Sequence, residues 1–566
     1  MNTRLHFRIL YRQFLFRLMD VELLSSSAAG DSSTLLGQFG ALLIFGSVGL
    51  SWAALAIGGE AHRTGLPGPV WAAERLMISL TMLMVGVFAL LSWETTFPDL
   101  RDVLVLSPLP VRGRTLFAAK IAASGAALGI TVAAFNCLSG FAWPLALAPS
   151  GCGFVGTLRF VAAFWIVLFA AATFVYCAVL TLQALAAQLP RAWYLRVSPA
   201  LQIGAFVVFL GVAFFQPSIN QPSALAAPEN QRALAWLPSY WFMGLLSELS
   251  GIFQFQGHPA MAPLAHRAAV SLPIAIVLAA SAFLLSHLRT LRKIVEEPDV
   301  APGSRGGLWL PRFGKLPETA LAHFAIRTAL RSRQHRVVLG FYLGGGLAVA
   351  AVYLEGARDM RHLSWLALVS RANSFMMVAT VIMLCALWLG LRTVFALPLD
   401  LRANWLFRVT PMPSGVSTLA AARWAMLSLS VLPIVAASVA LFWSWHWSLL
   451  ARHLLLLALF GSLLADLSLR NFRKIPFTCS YLPGKSKVHL LFWFGLIPAV
   501  FTMHKLVEWE QVAMASPRSF GELVLALAAT ALAARWISNA AARRDGPEIQ
   551  FEDVASWEIV KLELNG

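Results

Sequence analysis

Long apolar blocks alternate with short charged segments along this chain of 566 residues. Each block runs for about 18–30 residues, enough to cross a hydrocarbon core of about 30 Å as a helix. Lipid offers no partner to backbone N–H and C=O groups, so a spanning segment is a helix or part of a closed barrel. Barrel strands alternate apolar and polar positions over about ten residues. These blocks are continuously apolar, which predicts helices. Expected spans cover 34–57, 74–94, 115–146, 158–188, 198–216 and 268–288, then 337–355, 373–397, 418–443, 449–468, 489–507 and 519–539. The fold class is therefore an all-α polytopic membrane protein with about 12 transmembrane helices. Pro273, Pro433 and Pro498 lie within spans and are expected to kink them. The Gly125/Gly129 and Gly340/Gly344 pairs have the GxxxG spacing that lets helices approach closely.

Two segments are amphipathic instead. In 4–20, Arg4, Arg8 and Arg12 recur every fourth residue, while Phe7, Tyr11, Phe14 and Leu18 form a second stripe. One cationic face and one aromatic face describe a helix lying in the headgroup layer. Residues 318–336, ETALAHFAIRTALRSRQHR, repeat that layout ahead of the seventh span. Each set of six spans is thus preceded by an amphipathic interfacial helix.

Composition agrees. Hydrophobic residues make up 58% of the chain and charged ones 13%, against roughly 25% charged in soluble domains. The net charge of +17 reflects the excess of Lys and Arg in cytoplasmic loops, so nucleic acid is not expected as a partner. The inside clusters are Arg4–Arg17, Arg101–Lys120, Arg289–Arg336, Arg470–Lys487 and Arg543/Arg544. They place both termini in the cytoplasm, although Arg358, Arg361 and Arg371 fall outside. None of the five cysteines forms a CxxC pair, and Cys137 and Cys152 are left open as a disulfide or as packing residues. The first twenty residues carry no apolar run of the signal-peptide kind.

The chain divides at a polar, Pro/Gly-rich stretch containing KIVEEPDVAPGSRGG. The expected organisation is a first six-span half at 1–290 and a linker at 291–317, then a second half at 318–540 and a tail at 541–566. A duplication supports it. Ser107–Lys120, SPLPVRGRTLFAAK, aligns without a gap with Thr410–Arg423, TPMPSGVSTLAAAR, pairing Pro110 with Pro413 and Lys120 with Arg423. Upstream, Asp99-Leu100-Arg101 is echoed by Asp400-Leu401-Arg402. Each copy lies in an inner loop between the second and third span of its half. Each holds a short apolar turn too brief to span, LVLSPLP or LFRVTPMP, set among charges. Such a turn can form a surface helix that receives force from a soluble partner.

These residues, Asp99–Lys120 above all, together with the amphipathic elbow and the six-span layout, resemble the permease subunits of type-2 ABC exporters. The resemblance covers most of the chain in architecture and the two repeated segments in motif. It implies two fused halves, a bacterial inner (plasma) membrane location, and a separate ABC ATPase subunit in two copies. It also implies coupling helices at 99–114 and 400–417. The candidate coupling residues are Asp99, Arg101, Asp102, Leu104, Leu106, Arg112 and Arg114, with Asp400, Arg402, Leu406 and Arg408 in the second copy. Gly415 and Ser417 stand where the first copy has Arg112 and Arg114, so a weaker role is expected there. LPSYWFMGLLSELSG at 237–251 resembles the family's outer helical cap, with no equivalent evident in the second half. Its Trp236, Tyr240, Trp241 and Phe242 read as an interfacial aromatic cluster.

No ATPase domain is visible. Pro483-Gly484-Lys485-Ser486 lacks the upstream glycine of a P-loop, with Cys479 in its place. The chain is therefore expected to be no enzyme and to bind no cofactor, with ATP acting through its partner; the substrate stays open. The alternatives are an ion-coupled secondary transporter and a membrane-embedded transferase. The first needs ionisable groups at mid-membrane, where Asp466 near an inner end reads as a paired or snorkelling carboxylate. The second would use carboxylates or histidines such as Glu60, His62, His258 and His266, which read as solvated loop residues.

Overall fold

The computed structural model describes residues 3–19, 43–56, 67–93, 96, 112–148, 153–214, 230–251, 261–296, 311–361, 374–397, 405–409, 415–469, 474–478, 503–514 and 516–544. Among these residues every regular element is a helix. Nine helices among the described residues are long and apolar enough to cross a membrane, which makes this an all-α multi-pass membrane protein. The chain forms two compact units, Met1–Arg305 and Gly306–Gly566.

In the first unit the helices are α1 (Thr3–Met19), α2 (Leu43–Ala56), α3 (Pro67–Leu91), α4 (Gly113–Asn136), α5 (Ser139–Leu147), α6 (Gly153–Gln188), α7 (Arg191–Phe214), α8 (Gln231–Leu234), α9 (Pro238–Ser250) and α10 (Met261–Glu296). Helix α6 packs against α3, α9 and α10. Its Phe164, Val167, Leu168 and Ala171 are fully enclosed in the largest apolar core. On α1, Leu10, Phe14 and Leu18 are buried at i, i+4 and i+8, and the helix lies against α4.

The second unit contains α11 (Leu316–Arg331), α12 (Arg333–Arg361), α13 (Ser374–Val394), α14 (Trp405–Val409), α15 (Gly415–Leu441), α16 (Trp447–Ser468), α17 (503–514) and α18 (Pro517–Arg544). Helices α12 and α13 pack closely, because glycines face the partner from both sides. A Cβ on Gly346 would meet Ala386, and one on Gly390 would meet Tyr342. Gly125 and Gly129 serve no such approach: a Cβ on either would meet nothing within 4 Å among the described residues.

Three expectations change. The span expected at 115–146 is broken after Asn136, and α5 starts anew at Ser139. The break is capped across the fold: the Leu138 and Ser139 N–H groups both donate to Ser47 Oγ at 3.0 Å. Hydropathy cannot register this, because a hydroxyl from α2 replaces the missing intrahelical acceptors. Second, α17 runs past the expected end of its span at 507 to Met514, while 489–502 lies outside the described residues. Third, the aromatic cluster turns inward. Tyr240 and Phe242 are buried, and only Trp236, at 83% exposure, is open. The apolar helix α2 and the apolar stretch 197–212 of α7 overlap the expected spans 34–57 and 198–216.

Candidate functional site

The candidate site is the pair of segments at 99–114, between α3 and α4, and at 400–417, between α13 and α15. Asp99, Arg101, Asp102, Leu104, Leu106, Asp400 and Arg402 lie outside the described residues, as does the Pro483–Ser486 stretch. Arg112 sits in extended backbone (φ −71°, ψ 131°) immediately before α4, and both it and Arg114 are exposed. Arg408 is part of α14.

The second segment folds its apolar turn into α14, a helix of five residues, WLFRV. Trp405 (63%), Leu406 (54%) and Val409 (76%) are exposed together, whereas Phe407 turns inward to meet Phe324 of α11. Phe324 in turn lies 6.3 Å from the ring of Phe477. The Phe477 ring packs on Phe395, just past the end of α13, and on His335 of α12. Phe477 holds a left-handed backbone, φ 68°, which costs a side-chain-bearing residue about 1–2 kcal/mol. Burial of the whole ring offsets that cost. An unbroken line of rings thus connects α14 to the end of the span that precedes it.

Hydrogen bonds fasten that end as well. His335 Nε2 donates to the Leu397 carbonyl at 3.1 Å, which makes Nδ1 the acceptor for the Ser332 hydroxyl at 2.7 Å. Phe477 N–H donates to the Phe395 carbonyl. In the first unit the end of α3 is held by different groups with the same result. Gln202 Nε2 donates to the Leu90 carbonyl at 2.8 Å, Gln183 Nε2 donates to the Trp93 carbonyl, and Trp93 Nε1 donates to Ser198 Oγ at 2.9 Å. Helix-end carbonyls left open by the last turn are satisfied by side chains from other helices. Each clamp fastens the end of a span to neighbouring parts of its own unit.

The exits differ. Ser417, standing opposite Arg114 in the repeat, donates to Glu318 of α11 at 3.0 Å. The second exit is therefore tied to α11, while Arg114 is exposed. At the repeated positions, Thr115 and Thr418, Ala119 and Ala422, and Lys120 and Arg423 are all buried. Lys120 Nζ lies over the Phe14 ring of α1 at 5.4 Å. Arg423 pairs through Nε with Asp466 Oδ1 of α16, with Arg535 of α18 near enough to act on both. The Asp466 carboxylate is thus paired and buried. Packing neighbours of α4 and α15 are also alike, α1 on the first and α11 on the second.

On α1, Arg4, Arg8 and Arg12 are exposed, Phe7 and Tyr11 are half-buried and mutually stacked, and Phe14 is buried. Sequence reasoning missed Phe324, Phe477, His335, Gln183 and Gln202. Their spacing carries no motif, because their roles come from distant helix ends. Cys137, Cys177 and Cys385 are free thiols. Among the described residues no cluster of His, Cys, Asp and Glu has the makings of a metal site. No protein-family model, curated protein or solved structure matches this chain.

Proposed function

We propose that the chain is the permease component of an ATP-driven exporter of the type-2 ABC kind, built from two fused six-span halves. It takes force from a separate ATPase subunit at 99–114 and 400–417. The observation that carries this reading is α14: three large apolar side chains exposed together on a short helix whose fourth, Phe407, is anchored to the body of its unit. Exposed apolar anchors backed by a rigid support are what a docking partner uses for binding energy. The clamps at Leu90–Trp93 and at Phe395–Leu397 support the reading, since they fix the span end next to each segment to the rest of its unit. The exposed Arg4, Arg8 and Arg12 on α1 suit an elbow at the inner bilayer surface, where each such charge contributes about 1 kcal/mol.

The test is purification of the tagged full chain in mild detergent from its own membranes. Recovery of an ABC ATPase subunit, reduced at least tenfold by Trp405→Asp, is the expected result. Recovery of the chain alone, with no effect of ATP on its conformation, overturns the reading. An ion-coupled secondary transporter is the second reading. It is favoured by a buried imidazole–carboxylate pair, His453 and Glu510, in the second unit.

A further inference from the structure

Helix α11 has two unlike faces. Leu321, Ala322, Ala325, Ile326 and Ala329 are buried, and the helix packs against α15. The other face borders a cavity of about 680 Å³ lined by His323, Phe324, Arg327, Thr328, Arg331 and Ser332. Arg327 and Arg331 are exposed and stand one helical turn apart on the same side. Among the described residues neither guanidinium has a carboxylate partner. Glu318, on the same helix, is committed to Ser417 and to the Lys315 N–H. His323 is held by the Pro311 carbonyl at 2.8 Å, and the Ser332 hydroxyl is spent on His335. The described lining thus presents two unpaired positive charges and no negative one.

We propose that this cavity binds the headgroup phosphate of an anionic phospholipid. A guanidinium offers its N–H donors as a planar fork that matches a phosphate, and two forks one turn apart can grip the same phosphodiester. The Thr328 hydroxyl, beside Arg327 in the lining, is a further donor. Basic pockets beside membrane helices recognise such headgroups through this charge balance. A zwitterionic lipid brings an ammonium as well, and the described lining has no carboxylate to receive it. Charge complementarity therefore selects a lipid with net negative charge.

Two features point to a lipid over a free anion. Ser332 is extended (φ −67°, ψ 128°) and separates α11 from α12, whose apolar stretch begins at His335. The arginines therefore stand just ahead of a candidate crossing, at the level where headgroups meet a span. Leu330, next to Arg331, is exposed and can run along an acyl chain while the guanidinium holds the phosphate. Phe324 lines the cavity and also meets Phe407 of α14, so a bound headgroup lies one ring away from that helix. The site is independent of the energy source that drives the chain.

The experiment is native mass spectrometry of the purified full chain, stripped of lipid in detergent and titrated with phosphatidylglycerol or with phosphatidylcholine of the same acyl chains. The expected result is one phosphatidylglycerol held about tenfold or more tightly than phosphatidylcholine. Arg327→Gln/Arg331→Gln should weaken that binding by about tenfold or more, and either single variant by a few-fold. Arg327→Lys/Arg331→Lys keeps the charge and loses the forks, so it should fall between wild type and the glutamine pair. Arg312→Gln/Arg518→Gln removes two exposed charges that do not line the cavity and should leave the binding unchanged. Equal affinity for the two lipids, wild-type binding by Arg327→Gln/Arg331→Gln, or displacement of the lipid by inorganic phosphate would each overturn the proposal.

Discussion

Phe407 and Phe324 meet edge to face, with ring centroids 5.3 Å apart and planes at 64°. This contact ties α14 to α11. Aromatic pairs of this geometry contribute about 0.5–1.5 kcal/mol beyond the area they bury. Phe407→Ala should therefore release α14 while leaving the bulk of the unit folded. Hydrogen exchange is expected to accelerate roughly tenfold at 405–409, matching a loss of about 1.4 kcal/mol, and to change little in α13 and α15. Equal acceleration throughout the unit would count against a local anchor.

Docking energy should reside in the apolar side chains of both segments. Truncated interface anchors cost about 2 kcal/mol or more, and rim charges about 0–1 kcal/mol. Leu104→Asp and Leu106→Asp are expected to reduce capture of an ATPase partner and transport by more than tenfold, with normal membrane insertion. Arg112→Ala, at an exposed position, should lower the association rate by a few-fold. Leu406→Asp should fall between them, because the second exit is tied to Glu318 through Ser417. Pull-down and transport assays of the four variants give the order directly; an unaffected Leu104→Asp and Leu106→Asp pair would refute the docking assignment.

The Arg423–Asp466 pair is enclosed, with side chains 4% and 1% exposed. Removal of one member of such a pair costs about 3–5 kcal/mol, since the other charge is left buried alone. Asp466→Ala should lower thermal stability severely. The double variant Arg423→Met/Asp466→Leu should be more stable than either single one. A double variant that is the least stable of the three would show that the charges do more than satisfy one another.

Ser47 caps the break between α4 and α5. Ser47→Ala strands the Leu138 and Ser139 N–H groups in a buried place, at a cost of about 1–3 kcal/mol. The expected result is a lower melting temperature and faster proteolysis near Cys137. Ser47→Thr, which retains the hydroxyl, should recover most of the loss.

Burial holds the Tyr240 phenol above its ordinary range, while the nearby charge of Arg75 pulls it down. The folded chain therefore keeps the proton longer than the unfolded one, whose tyrosine ionises near about pH 10. The stability this contributes is complete below that pH and is lost as pH rises through the folded value. Thermal scans from pH 9 to 11.5 should show a steeper alkaline decline for wild type than for Tyr240→Phe. Identical slopes would mean that the phenol is as accessible to water as a solvated tyrosine.

Sequence alone determined the helices that depend on lipid: long apolar blocks have one way to satisfy their backbone in a bilayer, so α3, α6, α13 and α16 were legible as spans. It also determined the helical character of α1, because the period of its arginines and aromatics is local. It located the two similar segments, which carry matched residues such as Pro110 and Pro413. Contacts between distant residues were decided only by the tertiary structure. The apolar run 115–146 carries no mark of the break at Asn136, because the acceptor that permits it sits 91 residues away on Ser47. Tyr240 and Phe242 read as interfacial by composition, yet packing of α9 on α6 and α10 turned them inward. His453, Thr380 and Glu510 are ordinary residues on three separate helices, and only the tertiary packing brings them within hydrogen-bonding distance.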